Sequence, residues 1–261
     1  MRPEEALGRI GEERPLVHHI TNYVTPSLVA NVTLCTGALP VMAHAHEEVE
    51  EMVYLASALV LNIGTLDPIQ TEAMLLAGRR ANERGVPVVL DPVGVGATTL
   101  RTKTAERLLS ELDFSVVCGN AGEVSTLAGL SAEVRGVESL SGDAREAAER
   151  AAATLGVTVA ATGKTDHVSD GERTLAVENG HSLMGRVVGS GCASTAVVGC
   201  FAAVGGGDVE TIAGALAYFG RCGEVAAEEA AGPGTFEPHL LDALARVARD
   251  PDYLDGQTGI R

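Results

Sequence analysis

The chain is predicted to be an α/β protein with a mostly parallel central sheet covered by helices on both faces. Short β-branched or apolar runs alternate with longer stretches of helical periodicity, as a sheet buried on two sides requires. The residues that follow those runs carry glycine, aspartate, asparagine and threonine, the turn chemistry of strand ends. With 261 residues, 46% of them hydrophobic, the chain can bury a large core, and one domain over 1–261 is expected.

Taken in order, Leu16 to Ile20, Ala58 to Ile63, Val86 to Leu90, Ser115 to Cys118 and Val157 to Ala161 read as buried strands. Thr25 to Thr36, His46 to Ser57, Pro68 to Arg84, Thr102 to Leu112 and Asp143 to Leu155 read as the intervening helices, several opened by Thr, Asp or Pro. His167 to Ser169 and Thr174 to Val177 flank Asp170-Gly171, a hairpin signal. The last third is helical apart from a break at Gly205 to Gly207, and the tail from Asp250 to Arg261 is expected to be poorly ordered.

Composition excludes several functions. No leader and no apolar run long enough to span a bilayer stands out, so a cytoplasmic location is expected. The net charge of −16, with only Lys103 and Lys164 as lysines, repels nucleic acid and anionic membranes. Five widely spaced cysteines (Cys35, Cys118, Cys192, Cys200, Cys222) form no Cys-x-x-Cys pair and read as free thiols. A partial Gly94-Val95-Gly96 fingerprint lacks the third glycine of a dinucleotide site.

The chemistry concentrates after the strands. Asn62-Ile63-Gly64-Thr65, Asp91-Pro92-Val93-Gly94-Val95-Gly96-Ala97, Gly119-Asn120-Ala121-Gly122-Glu123 and Thr162-Gly163-Lys164-Thr165-Asp166 all follow strand candidates, where open parallel sheets bind ligands. Gly189-Ser190-Gly191-Cys192 then opens a helix of small apolar residues. Unpaired N–H groups and the positive end of the helix dipole make such a start an anion site, and the same dipole is expected to lower the pKa of the Cys192 thiol.

Together these motifs resemble the hydroxyethylthiazole kinase family of the ribokinase-like superfamily. The likeness runs from His18-His19-Ile20-Thr21-Asn22-Tyr23-Val24 through Gly37-Ala38-Leu39-Pro40-Val41-Met42-Ala43-His44 and Leu90 to Thr98 to Gly232-Pro233-Gly234. It implies a three-layer ribokinase-like sandwich without a lid, and transfer of the ATP γ-phosphoryl group to the hydroxyl of 4-methyl-5-(2-hydroxyethyl)thiazole. Another small vitamin-precursor alcohol, or thiazole binding with impaired catalysis, is the alternative. On this resemblance Ser190, Gly191 and Cys192 are catalytic, Cys192 orienting the attacking hydroxyl. Asn22, Met42, Gly64 and Gly189 match substrate positions, although Met42 alone also fits core packing. Cys118, Asn120, Thr162 and Gly163 match the nucleotide side, and Asp91 and Glu123 are placed to hold Mg²⁺.

The resemblance also implies a homotrimer with the pocket between subunits, in which Asn22 and Met42 would serve a neighbouring site. Two positions depart from the family pattern. Cys118 stands where Arg is usual, leaving the charge partner of ATP to a residue such as Arg101 or Lys164, and His19 stands where Asn is usual. A cysteine hydrolase would need a histidine beside Cys192, and His181 is the one nearby in sequence.

The acidic, lysine-poor composition implies self-repulsion that salt screens. The melting temperature is expected to rise between low and molar KCl; a melting temperature that does not change in calorimetry would contradict this.

Overall fold

The computed structural model describes residues 1–130, 144–254 and 256–261. Eight strands form one sheet in the order β2-β1-β3-β4-β5-β6-β7-β8. They are β1 (Leu16–Ile20), β2 (Leu39–Val41), β3 (Ala58–Asn62), β4 (Val88–Asp91), β5 (Val116–Asn120), β6 (Thr158–Thr162), β7 (Asp166–Ser169) and β8 (Thr174–Val177). β1 to β6 pair in parallel, and the hairpin of β7 and β8 adds two antiparallel strands at one edge.

Alternation along the strands divides the apolar residues between two cores. Val17, Val60, Val89, Val116 and Ala160 face a layer made by α1 (Pro3–Glu13), α2 (Pro26–Cys35), α8 (Ser190–Gly205), α9 (Val209–Glu229) and α10 (Pro233–Arg249). Ile20, Leu59, Leu61, Val88, Leu90, Val117 and Val159 face the opposite layer. That layer holds α3 (Val49–Leu55), α4 (Pro68–Arg84), α5 (Thr99–Glu111) and α7 (Ala144–Leu155), with Val124 of α6 (Ala121–Leu127) packed against it. Both faces are therefore dry, which is why the strands are continuously apolar rather than alternating. α8 is buried along nearly its whole length, and its small residues let it lie close against β3.

Helix starts follow local hydrogen bonding. Asp67 caps α4 by accepting from Gln70 N at 2.8 Å, and Asp208 caps α9 by accepting from Thr211 N at 3.0 Å. The loop over Gly206 and Gly207 before Asp208 is the expected break between α8 and α9. α3 is shorter than the run His46 to Ser57, and α5 starts earlier than Thr102, because Thr98 caps it by accepting from Arg101 N at 3.3 Å. α7 fits the helix expected over Asp143 to Leu155, except that Asp143 lies outside the described residues. α1 and the three-residue β2 were not legible as elements.

The tail is the clearest correction. Instead of being poorly ordered, Arg261 exchanges two backbone hydrogen bonds of 2.9 Å with Ala176, and Gly259 O accepts from Glu178 N at 3.1 Å. These residues cover the open edge of β8, whose unpaired N–H and C=O groups otherwise face solvent.

Candidate active site

Chain order places a topological switch between β1 and β3. After β1 the chain steps to β2 on one side and then returns to β3 on the other, so the loops leaving β1 and β3 diverge and open a crevice at their carboxyl ends. Asn22 lies just beyond β1, Asn62 ends β3, and Asp91 ends β4 directly opposite Asn62 in the ladder. On the far side Asn120 ends β5 opposite Thr162 of β6.

The polar groups in this crevice bond to one another. Asn62 Nδ2 donates to Asp91 Oδ2 at 2.6 Å and to Cys192 Sγ at 3.2 Å. Asn22 Nδ2 donates to Asn62 Oδ1 at 2.9 Å and to Cys192 Sγ at 3.4 Å. Asn22 Oδ1 in turn accepts from the amides of Val24 and Thr25 and from the Thr25 hydroxyl, turning the chain into α2. Thr25 thus spends its hydroxyl on Asn22 rather than on a helix cap. Cys192 Sγ is thus bonded by two amides of its own chain, those of Asn22 and Asn62.

α8 starts at this crevice. Gly189, its N-cap, has φ +89°, and a Cβ there would stand 2.3 Å from Thr25 Cγ2. Only glycine takes that backbone conformation without strain and lets the turn approach α2 so closely. Among the described residues, the N–H groups of Gly191 and Cys192 have no backbone or side-chain acceptor, and a Cβ on Gly191 would meet open space. These donors are available to an anion. The thiol itself departs from expectation: burial, then the nearby Asp91 carboxylate, push the Cys192 pKa up rather than down. Desolvation of the thiolate outweighs the helix dipole here.

Two cavities meet over this turn. One of about 200 Å³ is lined by Asp91, Cys118, Glu123, Gly189, Cys192 and Thr195 among others. The second, of about 690 Å³, is lined by Gly163, Lys164, Asp166, His181, Ser190 and Phe219 among others. Asn120, Thr162, Gly191 and Ser194 line both, so the two cavities adjoin at these residues. Glu123 accepts from Gly94 N at 2.7 Å and from Asn120 N at 2.8 Å while Asn120 Oδ1 accepts from Glu123 N, a capping box that holds the carboxylate at the start of α6. Burial, and next the Glu123 charge, push the Asp91 pKa up to about 7, and burial raises that of Glu123. Two acidic groups lining one small cavity, each pushed toward its neutral form, call for a countercharge.

The other expected residues fall in different places. Gly64 packs against Asn22, where a Cβ would meet Asn22 Cβ at 2.9 Å, and its amide donates to Asn62 Oδ1. Thr162 donates to Gly119 O at 3.2 Å, and Gly163 N donates to Asp166 Oδ1 at 2.8 Å. Cys118 lines the smaller cavity, its thiol also pushed up by burial. Met42 packs against the helical core beside the edge strand β2 and lines neither cavity. Arg101 is committed elsewhere, donating to Val93 O at 2.7 Å and Gly64 O at 2.6 Å, whereas Lys164 lines the larger cavity.

The histidines have structural partners. His18 Nε2 bonds Ala43 O at 2.6 Å, His19 Nε2 bonds the Thr33 hydroxyl at 3.1 Å, and His46 Nε2 bonds Ile69 O at 2.7 Å. Burial lowers the pKa of His19 to about 3, which keeps it neutral. His18 and His19 lie wholly inside the subunit. No group of three or more His, Cys, Asp or Glu is arranged for a metal among the described residues. His181 lines the larger cavity and uses Nδ1 to accept from Leu183 N at 3.2 Å; no bond links it to Cys192, whose partners are asparagines. Sequence reasoning placed Asn62 in a strand-end loop without giving it a role of its own, although an asparagine closing an otherwise apolar strand was a visible signal, and it missed Thr195.

Comparison with known proteins agrees with this architecture. The model of the hydroxyethylthiazole kinase family matches residues 7–250. A hydroxyethylthiazole kinase of Rubrobacter xylanophilus is 72% identical over 98% of this chain and 97% of its own length. One of Methanocella arvoryzae is 56% identical over 94% and 92% respectively. The solved structure of the hydroxyethylthiazole kinase protein from Pyrococcus horikoshii OT3 superposes with a TM-score of 0.92 at 46% identity, covering 99% of this chain and 98% of that one. A Bacillus subtilis pyridoxal kinase solved as an ADP complex shares the fold at 19% identity and a TM-score of 0.56.

Gly189→Ala is expected to cost about 1–3 kcal/mol of stability in denaturant titration, from overpacking against Thr25 and a left-handed backbone. Trimming the clash with Thr25→Ser should recover part of the loss and leave the backbone strain. No gain from the second substitution would show that the close approach to Thr25 is not what requires glycine.

Proposed function

The chain belongs to the hydroxyethylthiazole kinase family, and on that premise we propose that it transfers the γ-phosphoryl group of ATP to the hydroxyl of 4-methyl-5-(2-hydroxyethyl)thiazole, a step of thiamine salvage. The observation that carries the reading is the free Gly191 and Cys192 N–H groups at the junction of a nucleotide-sized cavity with the Cys192 crevice. Phosphoryl transfer demands positioning and charge neutralisation more than covalent chemistry by the protein. A helix start that offers preorganised donors to the transferred group meets that demand.

Each side of the junction has its work. The larger cavity takes the nucleotide, with the Thr162-Gly163 turn and Asn120 at the phosphate passage. Lys164 supplies positive charge at its rim, in the absence of an arginine at position 118. Asp91 and Glu123 would hold Mg²⁺ together with water and phosphate oxygens, since a hard divalent cation suits carboxylate donors and answers the repulsion between these two. When bound, the ion would neutralise charge on the phosphates. Cys192 meets the substrate hydroxyl, with Asn22 and Gly189 shaping the pocket. Its raised pKa makes orientation of the hydroxyl, not removal of its proton as a standing thiolate, the main role.

Exposed apolar side chains beside the crevice, Tyr23 (59%), Val24 (64%) and Val188 (75%), support an assembly in which a second copy covers the pocket mouth. A homotrimer is the reading we adopt, with Met42 and the edge strand β2 contributing to a neighbouring pocket. The location is proposed to be cytoplasmic; among the described residues no helix is long and apolar enough to cross a membrane.

A coupled assay of ATP turnover against the thiazole alcohol, pyridoxal and a hydroxymethylpyrimidine should give turnover with the thiazole alcohol and none without Mg²⁺. Preference for another alcohol would overturn the substrate, and turnover undiminished in chelator would overturn the metal. Cys192→Asp is expected to stay active and Cys192→Ala to lose only part of the rate, while a dead Asp variant would exclude the orienting role.

A further inference from the structure

Asn62 is 2% exposed and ends a strand whose other residues, Ala58 to Leu61, are all apolar. Its amide is fully used. Both N–H groups are donated, to Asp91 Oδ2 and Cys192 Sγ, and Oδ1 accepts from Asn22 Nδ2 and Gly64 N. A flipped amide would set Oδ1 against the Asp91 carboxylate and Nδ2 against the Gly64 N–H, so one orientation alone satisfies every partner.

We propose that Asn62 is a positioning residue of the transfer step, holding the Cys192 sulfur and the Asp91 carboxylate in fixed relation through its single NH₂ group. The inference rests on the transfer reading above. Its substance is geometric. Cys192 lies on α8 and Asp91 on β4, elements from different layers, and Asn62 of β3 donates a hydrogen bond to each. Asn22 completes the frame by bonding Cys192 Sγ and Asn62 Oδ1 together. The group that meets the hydroxyl and the group assigned to the metal are thereby set against each other before substrate arrives, which is how small displacements come to cost large factors in rate.

A role confined to packing and a role acting through Cys192 give different kinetics. Asn62→Ser and Asn62→Leu, the latter keeping the branching of the side chain but not its amide, would be assayed in the wild-type and Cys192→Ala backgrounds, with melting temperature followed throughout. In the wild-type background kcat is expected to fall about 10–100-fold with KM for ATP within about twofold. In the Cys192→Ala background the same substitutions should lower kcat by less than about a third of that factor, since one of the two positioned groups is already gone. Equal fold-losses in the two backgrounds, or a loss that appears only as a raised KM for ATP, would overturn the inference. Should Asn62→Leu fail to fold, Asn62→Ser carries the comparison. Should both fail, substitution of Asn22, the other amide on the sulfur, takes their place, and an additive effect with Cys192→Ala would count against the frame. A wild-type protein without kinase activity would overturn the transfer reading and this inference with it; an active wild type with unchanged Asn62 variants would overturn this inference alone.

Discussion

The polar groups where β1, β3, β4 and α8 meet depend on the side-chain amide of Asn62 finding partners in a place nearly closed to water. A buried amide left unsatisfied costs about as much as a folded protein can spare on one residue. The solution is reciprocal: Asp91 and Cys192 accept, Asn22 and Gly64 donate, and Asn22 is then held by the turn into α2. The strand ends, the α2 start and the α8 start are thereby tied to one another. Moving any of them would orphan a hydrogen bond on another.

The sheet makes that arrangement possible. Because both faces are packed with apolar residues, the polar residues of the central strands are concentrated at their carboxyl ends. The parallel register aligns those ends, Asn62 beside Asp91 and Asn120 beside Thr162. The switch of strand order next to β1 then opens a gap there instead of closing it with a crossover. α8 aims free N–H groups into the same gap, and the capping box of Asn120 and Glu123 fixes the second carboxylate. Glu123 shows that a structural and a chemical role need not compete, since each carboxylate oxygen accepts one backbone N–H and retains capacity for another partner.

Where sequence reasoning erred, a long-range term outweighed a local rule. The helix-start rule lowers the pKa of Cys192, but burial and Asp91 raise it, and neither is visible in the residues flanking position 192. Thr25 has the side chain of a helix cap and spends it on Asn22. The tail is polar and glycine-containing, as disordered ends are, yet the open edge of β8 gives its backbone partners. The segment Leu39-Pro40-Val41 is too short, and interrupted by proline, to announce β2. Arg101, named with Lys164 as a charge partner in place of the arginine that position 118 lacks, staples the loops after β3 and β4 through two carbonyls.

The amino-acid sequence by itself determined the α/β class, most strand and helix positions, the family, and the loops that carry the site. Those follow from local periodicity and from motifs of contiguous residues, which are written in the chain directly. Which of the motif residues touch one another was decided only in three dimensions. Asn22, Asn62, Asp91 and Cys192 lie as much as 170 residues apart, the separation of Asn22 from Cys192, and hydrogen-bond partners at that distance are chosen by sheet register and helix packing. The upward shift of the thiol pKa arises at the same level, because desolvation is a property of the folded surroundings and not of the tetrapeptide that contains the cysteine.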